Sequence, residues 1–333
     1  MRSPRMPAAG LAGLFALAVT GCSGQGGTAA PAAGTSYAPY VSATTASGSD
    51  FAGSPTAYNL AFVVAGGGDC APAWDGTRAV GDPAVAARIS RLGQDGADLR
   101  VSFGGASGTE LAAACDSAPE LAGAYGEALD AAGSSRADFD VEGDELTDPD
   151  SVALRSRAVA LLQRERSGLE VTFTLPVMSS GLDGDALALL ESADDHGVRV
   201  STVNLMTMNY GESRTGDMGA HALRAARAAH AQLKEVFAAS DAEAWRGMAL
   251  TPMIGVNDVA GETFTLADAA RVRAFAEEKG IGWVSMWAAF RDRACEDGDG
   301  GGGDGGDAGA DGAPTDCSGV EQSPGAFGEA LAG

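Results

Sequence analysis

The chain has 333 residues, of which 45% are hydrophobic, and it carries a formal net charge of -23 at pH 7. A chain of this length can bury one large core, and a single α/β barrel uses most of it. The strong negative charge argues against nucleic acid as a partner and is compatible with a neutral ligand such as a sugar. We therefore expect one folded domain that does not bind nucleic acid.

The first residues have the pattern of a bacterial export signal. Arg2 and Arg5 precede an apolar run over residues 8–20, which is too short for a membrane-spanning helix. The run ends in Val-Thr-Gly-Cys, which resembles the lipobox of bacterial lipoproteins, where the cysteine is acylated and becomes the first residue. An ordinary secretory signal with a chance cysteine is the alternative.

The export pattern leads to a prediction for the chain before the folded domain. Residues 1–21 are predicted to be a lipoprotein signal peptide, and residues 22–36, rich in Gly, Ala, Thr and Pro, a flexible tether. The protein is then expected at the extracellular face of the cell membrane, with a lipid anchor at Cys22 as its only membrane contact, or secreted.

Export would leave four cysteines in an oxidising compartment, and four cysteines permit three pairings. We favour Cys70 with Cys115 and Cys295 with Cys317, because each pair closes a segment between neighbouring elements. A zinc site fits less well, since no CxxC motif or close histidine accompanies them. Residues 296–316 are rich in Gly and acidic residues and are predicted to be a loop; their irregular spacing disfavours a calcium-binding repeat.

Strand-like and helix-like segments alternate along the rest of the chain. Eight segments are predicted to be strands: residues 37–44, 58–64, 99–103, 137–143, 169–175, 198–206, 248–253 and 281–286. Helices are predicted between them, including one that begins at Asp82-Pro83 and one capped by Asp150 and Ser151. This is the element count of a (β/α)₈ TIM barrel, which we expect over residues 37–333.

The fourth predicted strand carries acidic residues at every second position. Side chains alternate between the two faces of a strand, so Asp138, Asp140 and Glu142 share one face while Phe139 and Val141 share the other. On a surface sheet the acidic face would simply be solvated. A strand between two helical segments is buried on both faces, where three carboxylates are costly unless they share protons and hydrogen bonds. The strand therefore indicates a functional site.

In a barrel of this kind the active site lies where the strands end and the loops begin. Polar or aromatic residues at these ends are expected to converge on one mouth: Glu142, Asn209, Tyr210, Asn257, Asp258 and Trp287. Tyr210 and Trp287 could each be core aromatics, but beside an acidic strand they indicate a platform for a sugar. No nucleotide-binding P-loop follows the glycines at 66–68, and no serine-nucleophile motif surrounds Ser107.

These residues together resemble glycoside hydrolase family 18, the chitinases, and especially a bacterial and archaeal branch. The matching segments are Ser-Phe-Gly-Gly at 102–105, Asp-Phe-Asp-Val-Glu-Gly at 138–143, and the runs at 174–177, 206–208, 253–258, 286–287 and 291–293. Two positions depart from the family pattern. Ser135 stands where the long form of the acidic motif has another aspartate, and Asn209 stands where the branch usually has aspartate.

The resemblance implies hydrolysis of β-1,4-linked N-acetylglucosamine polymers such as chitin. In this family the N-acetyl oxygen of the substrate, and not an enzyme carboxylate, attacks the anomeric carbon, with retention of configuration. Glu142 would be the general acid and then the base, while Asp140 would orient the acetamido group and share a proton with Asp138. Tyr210 would hydrogen-bond the acetamido oxygen. Proximity to Asp140 is expected to raise the pKa of Glu142.

The resemblance also implies a substrate-binding set, with Trp287 as the floor under the sugar. The other members are Asn209, Met206, Met208, Asn257 and Gly105. Neither a metal nor a cofactor is expected, and the partner is chitin or an N-acetylglucosamine oligosaccharide bound by a monomer. Two alternatives stay open: a non-catalytic glycan-binding lectin on the same barrel, against which the intact Glu142 argues, and an endo-β-N-acetylglucosaminidase acting on other glycans.

Overall fold

The computed structural model describes residues 34–211, 213, 215–296 and 315–333. The predicted signal peptide, most of the predicted tether and residues 297–314 of the Gly/Asp-rich loop lie outside this part of the chain. Within the described part, no helix combines the length and the apolar character needed to cross a membrane.

The elements alternate between strand and helix as predicted. The strands are β1 (Ser36–Tyr37), β2 (Tyr40–Ser42), β3 (Ala57–Ala65), β4 (Pro72–Trp74), β5 (Arg78–Ala79), β6 (Asp98–Gly104), β7 (Arg136–Asp140), β8 (Glu170–Pro176), β9 (Val200–Met206), β10 (Met248–Thr251), β11 (Gly255–Val256), β12 (Thr263–Phe264) and β13 (Trp283–Val284). The helices are α1 (Pro83–Leu92), α2 (Leu111–Ala114), α3 (Ala118–Ala132), α4 (Gly143–Thr147), α5 (Pro149–Glu165), α6 (Gly184–Asp195), α7 (Met218–Val236), α8 (Asp241–Arg246), α9 (Leu266–Lys279) and α10 (Ala326–Ala332), with a 3₁₀ turn at Ala289–Arg291.

The parallel strands form a barrel that closes on itself. Hydrogen bonding runs in order through β13, β10, β9, β8, β7, β6 and β3. At the two ends of this row, β1 pairs with β13 and β2 pairs with β3, both in parallel. Only residues 38–39 separate β1 from β2, so the two form one extended segment that serves as the first barrel strand. This segment lies between β13, the last barrel strand, and β3, the second, and it closes the barrel. The predicted (β/α)₈ barrel is confirmed.

The apolar core lies between the strands and the surrounding helices. Phe139 on β7 stacks on Phe103 of β6 with ring centroids 5.4 Å apart, and it lies 5.6 Å from Phe173 of β8. Tyr125 of α3 packs edge-on against Phe139 from outside, at 4.9 Å. These aromatic side chains occupy the outward faces of their strands, so the inward faces are left for other groups.

Two predicted boundaries are corrected by the structure. The helix expected to be capped by Asp150 and Ser151 is capped by Asp148, whose side chain accepts a hydrogen bond from the Asp150 N–H. Pro149 then occupies the first helical position, where its missing N–H carries no cost. The first strand also begins at Ser36, one residue before the predicted start.

Both predicted disulfides are present. The Cα atoms are 4.7 Å apart in the Cys70–Cys115 pair and 5.1 Å apart in the Cys295–Cys317 pair. Beyond the second bridge, α10 is held by the buried carboxylate of Asp292, which accepts hydrogen bonds from the backbone N–H groups of residues 327 and 328 at 3.0 and 2.8 Å. The last helix is thus fixed to the segment that follows the eighth barrel position.

Candidate active site

The acidic residues of β7 lie at the centre of the barrel. The strand ends at Asp140, and Glu142 keeps an extended conformation, with φ -134° and ψ 168°, before α4 begins at Gly143. The alternation of side chains therefore continues through Glu142. Asp138 and Asp140 are 0% and 4% exposed, so both carboxyl groups have been removed from water.

Asp138 is enclosed by hydroxyl donors. Its Oδ2 accepts hydrogen bonds from the Tyr40 hydroxyl at 2.8 Å and the Ser102 hydroxyl at 2.7 Å, and its Oδ1 accepts one from Thr174 at 2.6 Å. Asn204 extends this set, because its Nδ2 donates to the Thr174 hydroxyl at 2.9 Å. Burial raises the pKa of Asp138, while the three hydroxyl donors oppose the shift because they favour the ionised form.

Asp140 and Glu142 behave as a coupled pair of carboxyl groups. Burial, followed by the charges of Glu142 and Asp138, raises the pKa of Asp140 well above its usual range, and its Oδ1 has no hydrogen-bond partner. Burial raises the pKa of Glu142 to about 7, a hydrogen bond from Asp140 opposes this, and the charge of Asp258 adds to it. In the hydrogen bond between the two side chains, Asp140 is the donor and Glu142 is the acceptor.

This electrostatic result corrects the expected cause of the Glu142 shift. Proximity to Asp140 was expected to raise the pKa of Glu142, but a protonated Asp140 donates a hydrogen bond and so stabilises the ionised form. Desolvation is the largest contribution to the raised pKa of Glu142, and the like charge that adds to it is that of Asp258 instead of Asp140. Glu142 titrates near neutrality for these two reasons.

A cavity of about 110 Å³ opens above the two carboxyl groups. Its lining residues are Tyr40, Phe62, Ala106, Asp140, Glu142, Thr174, Met206, Met208, Asn209, Thr251, Met253, Asp258 and Trp287. Trp287 stacks on Phe62 with centroids 5.5 Å apart and meets Tyr40 edge-on at 5.8 Å. The cavity is smaller than the roughly 300–1,000 Å³ of a pocket that encloses a whole ligand, so it suits one part of a larger molecule.

Glu142 also borders two open clefts beside the cavity. One, of about 130 Å³, has walls formed by residues 176–178, Asp183 and the end of β9. The other, of about 510 Å³, has walls formed by residues 105–106, 108–110 and 143–145. Glu142 is the residue that all three spaces share, so a chain molecule crossing the mouth must pass its carboxyl group.

Most of the predicted site residues are brought together here. The cavity lining contains the predicted Asp140, Glu142, Asn209 and Trp287 together with Met206, Met208 and Asp258. Asp138 lies beneath the lining, connected to it through Tyr40 and Thr174. The structure thus assembles the acidic strand and the predicted strand ends into one mouth.

Two predicted residues, Tyr210 and Asn257, are buried outside the cavity lining. Tyr210 is 2% exposed and packs against His221 with ring centroids 5.4 Å apart, and it does not line the cavity. Asn257 is 2% exposed, and its amide donates to the carbonyls of Met253 and Gly255 at 2.9 and 3.1 Å. Asn257 therefore shapes the loop from behind the cavity.

Gly105 lines the larger cleft and supports the cavity indirectly. It has a φ of +87°, and a Cβ atom built on it would lie 2.8 Å from the ring of Phe62. Its N–H donates to the Asp140 carbonyl at 3.0 Å. Glycine is required here because the backbone must pass between the aromatic wall and the acidic strand.

The aromatic wall and the polar floor of the cavity were not predicted from the sequence. The missed lining residues are Tyr40, Phe62, Ala106, Thr174, Thr251 and Met253. Tyr40, Thr174 and Thr251 lie on buried strands, so their polar groups could have indicated the inward face. Phe62 carries no such signal, because it resembles any other core aromatic.

Asn209 is held in a definite orientation at the mouth. It adopts the left-handed region, with φ +50°, which asparagine and aspartate tolerate better than most residues. Its Nδ2 donates to Asp258 Oδ2 at 3.2 Å, and the following Gly211 N–H donates to Glu262 at 2.9 Å. The negative charge at this part of the mouth therefore belongs to Asp258, which Asn209 holds in place.

Comparison with known proteins supports the resemblance, although no family model matches the chain. It is 34% identical over 275 residues to the probable bifunctional chitinase/lysozyme of Escherichia coli K12, covering 77% of this chain and 31% of that protein. It is 34% identical over 218 residues to endochitinase 11 of Metarhizium anisopliae, covering 62% of this chain and 42% of that protein. The chain thus spans less than half of the length of either curated relative.

The fold has a closer match in length among solved structures. The catalytic domain of a hyperthermophilic chitinase from Pyrococcus furiosus superposes with a TM-score of 0.77 and 28% identity, over 90% of this chain and 95% of that one. In sequence and in fold, the chain is thus similar to proteins described as chitinases.

Proposed function

We propose that the chain hydrolyses β-1,4-linked N-acetylglucosamine polymers by a substrate-assisted retaining mechanism. The observation that carries this proposal is the hydrogen-bonded Asp140–Glu142 carboxyl pair at the floor of a small cavity under an aromatic wall. The relatives named as a chitinase/lysozyme and an endochitinase support it. A Pyrococcus furiosus chitinase domain has also been solved with chito-oligosaccharides.

In the first step, Glu142 in its protonated form gives its proton to the glycosidic oxygen as the bond to the anomeric carbon breaks. The carbonyl oxygen of the substrate's acetamido group attacks that carbon and forms an oxazolinium ion. The acetamido group lies in the cavity beside Asp140, and the negative charge of the Asp138–Asp140 pair stabilises the positive ring. A pKa of about 7 lets Glu142 hold its proton near neutral pH.

In the second step, the same residue acts as a base. The ionised Glu142 removes a proton from a water molecule, whose oxygen attacks the anomeric carbon and opens the oxazolinium ring. The acetamido group is regenerated, and the product keeps the β configuration after two inversions. Trp287 and Phe62 form the apolar surface against which the sugar ring rests.

The proposal is tested by identifying the products and their first anomer. Chito-oligosaccharides, fully deacetylated chitosan oligosaccharides and peptidoglycan are incubated with the enzyme, and products are analysed by mass spectrometry and proton NMR. We expect β-anomeric products from the acetylated substrates alone. Initial α-product excludes the mechanism. Equal cleavage of chitosan, together with an inactive Asp258→Asn variant, would indicate that Asp258 is a nucleophile.

Asn209→Asp is expected to increase the catalytic rate, by at most on the order of 10², because a carboxylate at the mouth stabilises the positive transition state. It also places a second charge beside Asp258, whose charge already raises the pKa of Glu142. The acid must stay protonated, so the alkaline limb of the rate profile should move to higher pH.

Asp258→Asn is the matched opposite change, since it removes a charge at the same place. Its alkaline limb should move to lower pH, because the pKa of Glu142 loses one raising contribution. Rate profiles from pH 4 to 10 on the three proteins check both variants. Profiles that coincide would mean that the Asn209–Asp258 pair has no influence on the proton of Glu142.

We further propose that the chain is exported and anchored by lipid at Cys22, or else secreted, and that it acts as a monomer. The basic residues, the apolar run and the lipobox-like sequence support export. The two disulfides support an oxidising compartment. In a producing bacterium fed labelled palmitate, Cys22→Ser should lose the label; label retained by the variant would contradict the anchor.

A further inference from the structure

Arg100 is a buried cation on the floor of the barrel. It lies on β6, faces the interior and is 5% exposed. Its Nη1 donates to the Asn59 side-chain oxygen at 2.5 Å, and its guanidinium lies 4.7 Å over the ring of Trp283. Among the residues the structure describes, no carboxylate forms an ion pair with Arg100 within 4.0 Å. A buried charge in this position requires compensation from farther away.

The charged and titratable groups that face Arg100 come from above and below. Above it are Asp138 and the hydroxyl of Tyr40. Below it are Arg136 and Glu170, which pair with each other at 3.4 Å, while Arg136 also pairs with Asp98 at 2.8 Å. These lower charges already have partners at the exposed rim of the barrel. Asp138 is therefore the buried anion left for Arg100.

The register of the strands fixes their separation. Ser102 on β6 is the direct neighbour of Asp138 on β7, and Arg100 is two residues before Ser102 on the same face. At about 3.3 Å per residue, Arg100 lies one layer, about 7 Å along the strand, beneath Asp138. At this distance, inside a protein interior, opposite charges still attract appreciably.

We propose that Arg100 is a positioning residue that keeps Asp138 ionised from beneath, so that the proton shared by the two interior aspartates resides on Asp140 beside Glu142. The arrangement of the donors agrees with this. Asp138 receives three hydroxyl hydrogen bonds and has a cation below it, whereas Asp140 has an unpartnered oxygen and, within the described residues, no cation that lowers its pKa. Only the catalytic consequence of this inference rests on the proposed function.

A merely structural role for Arg100 makes a different prediction. In that case Arg100 fills the floor by packing on Trp283 and hydrogen-bonding to Asn59. Its replacement then lowers Tm by the same amount whichever residue occupies position 138. If Arg100 instead acts through the charge of Asp138, removing that charge first should remove most of the effect. A double-mutant cycle separates these two roles.

The cycle uses Arg100→Met, Asp138→Asn and the double variant, with thermal unfolding measured at pH 5, 7 and 9. We expect Arg100→Met to lower Tm more in the parent than in Asp138→Asn. Burial already raises the folded pKa of Asp138 in the parent, and the loss of Arg100 raises it further, so more of the stability that this group contributes is lost as pH rises. The Tm deficit of Arg100→Met should therefore grow from pH 5 to 9 in the parent alone.

Equal Tm losses in the two backgrounds at every pH would overturn the proposal. If Arg100→Met does not fold by itself, the proposal requires the double variant to fold, and failure of both likewise overturns it. This cycle contains no activity measurement, so its outcome does not depend on the reaction that the chain catalyses.

Activity gives a second readout. In Arg100→Met, the pair formed by Asp138 and Asp140 should accept its second proton at higher pH. The acidic limb of the pH profile of kcat should therefore move to higher pH. The value of kcat should fall on the order of tenfold, as for one pKa unit of lost charge stabilisation. Arg100→Lys keeps the charge and should retain the parent's acidic limb. An unmoved limb in Arg100→Met contradicts the proposal.

Discussion

Replacing Glu142 by glutamine should abolish hydrolysis while oligosaccharide binding remains. The amide keeps the shape of the side chain and its place at the junction of the three spaces, but it cannot give a proton to the glycosidic oxygen. A loss of roughly 10² or more in kcat is expected when general acid catalysis is removed. Initial rates on a chito-oligosaccharide, with calorimetric binding of the same ligand, measure the two effects separately.

Glu127→Gln is the matched control for this experiment. Glu127 is exposed on the outer helix α3, so the same chemical change there should leave both rate and binding unaltered. If Glu142→Gln turned over substrate at the parent rate, the assignment of the acid would be wrong. A variant that lost binding as well would show that Glu142 mainly holds the ligand.

Replacing Asp140 by asparagine should have opposite effects on activity and on stability. The catalytic rate should fall about 10²–10³-fold, because asparagine cannot pass a proton to Asp138 and so cannot bring the negative charge of the pair next to the oxazolinium ion. Stability should increase, since the folded protein buries this carboxyl group with a strongly raised pKa. For such a group the contribution to stability is present below its unfolded pKa and is lost as pH rises through its folded pKa.

The asparagine side chain cannot ionise, so Asp140→Asn does not lose stability in this way as pH rises. Its advantage in Tm over the parent should be smallest near pH 4 and should increase toward pH 9. Thermal unfolding across this range, followed by circular dichroism, checks the trend. A constant difference in Tm, or a variant less stable than the parent at pH 9, would show that Asp140 is not held protonated in the fold.

The barrel and its acidic centre could be predicted because they leave strong periodic signals. Eight strands alternating with helices, and acidic residues at every second position from Asp138 to Glu142, are local patterns. Once a parallel barrel is inferred, the ends of its strands must meet at one mouth. This reasoning correctly brought Asn209 and Trp287 to the same cavity as Glu142.

The placement of Tyr210 shows where local patterns fail. Met206 and Met208 alternate toward the cavity, but the left-handed conformation of Asn209 interrupts the alternation, and Tyr210 turns toward α7. A single left-handed residue after a strand has no reliable sequence signature unless it is glycine. The orientation of side chains beyond it could not be predicted.

The cause of the raised pKa of Glu142 could not be predicted from the sequence for a different reason. Its size depends on how completely water is excluded and on the distance to Asp258, which lies 116 residues later in the chain. Phe62 and Tyr40, which help to exclude water, come from the first two positions of the barrel. Such long-range packing is a property of the closed barrel and cannot be inferred from any one segment.

The hydrogen-bonded interior of the barrel has a consequence for engineering heat tolerance. Buried polar side chains from five barrel strands occupy the space inside, namely Ser102, Asp138, Thr174, Asn204 and Thr251. The hydrogen-bonding groups of each side chain are satisfied by its neighbours, so a single replacement leaves a neighbouring polar group desolvated and without a hydrogen-bond partner. A mutant library for a more heat-resistant biocatalyst should therefore hold the lumen constant and vary the shell of outward-facing side chains between the strands and the helices.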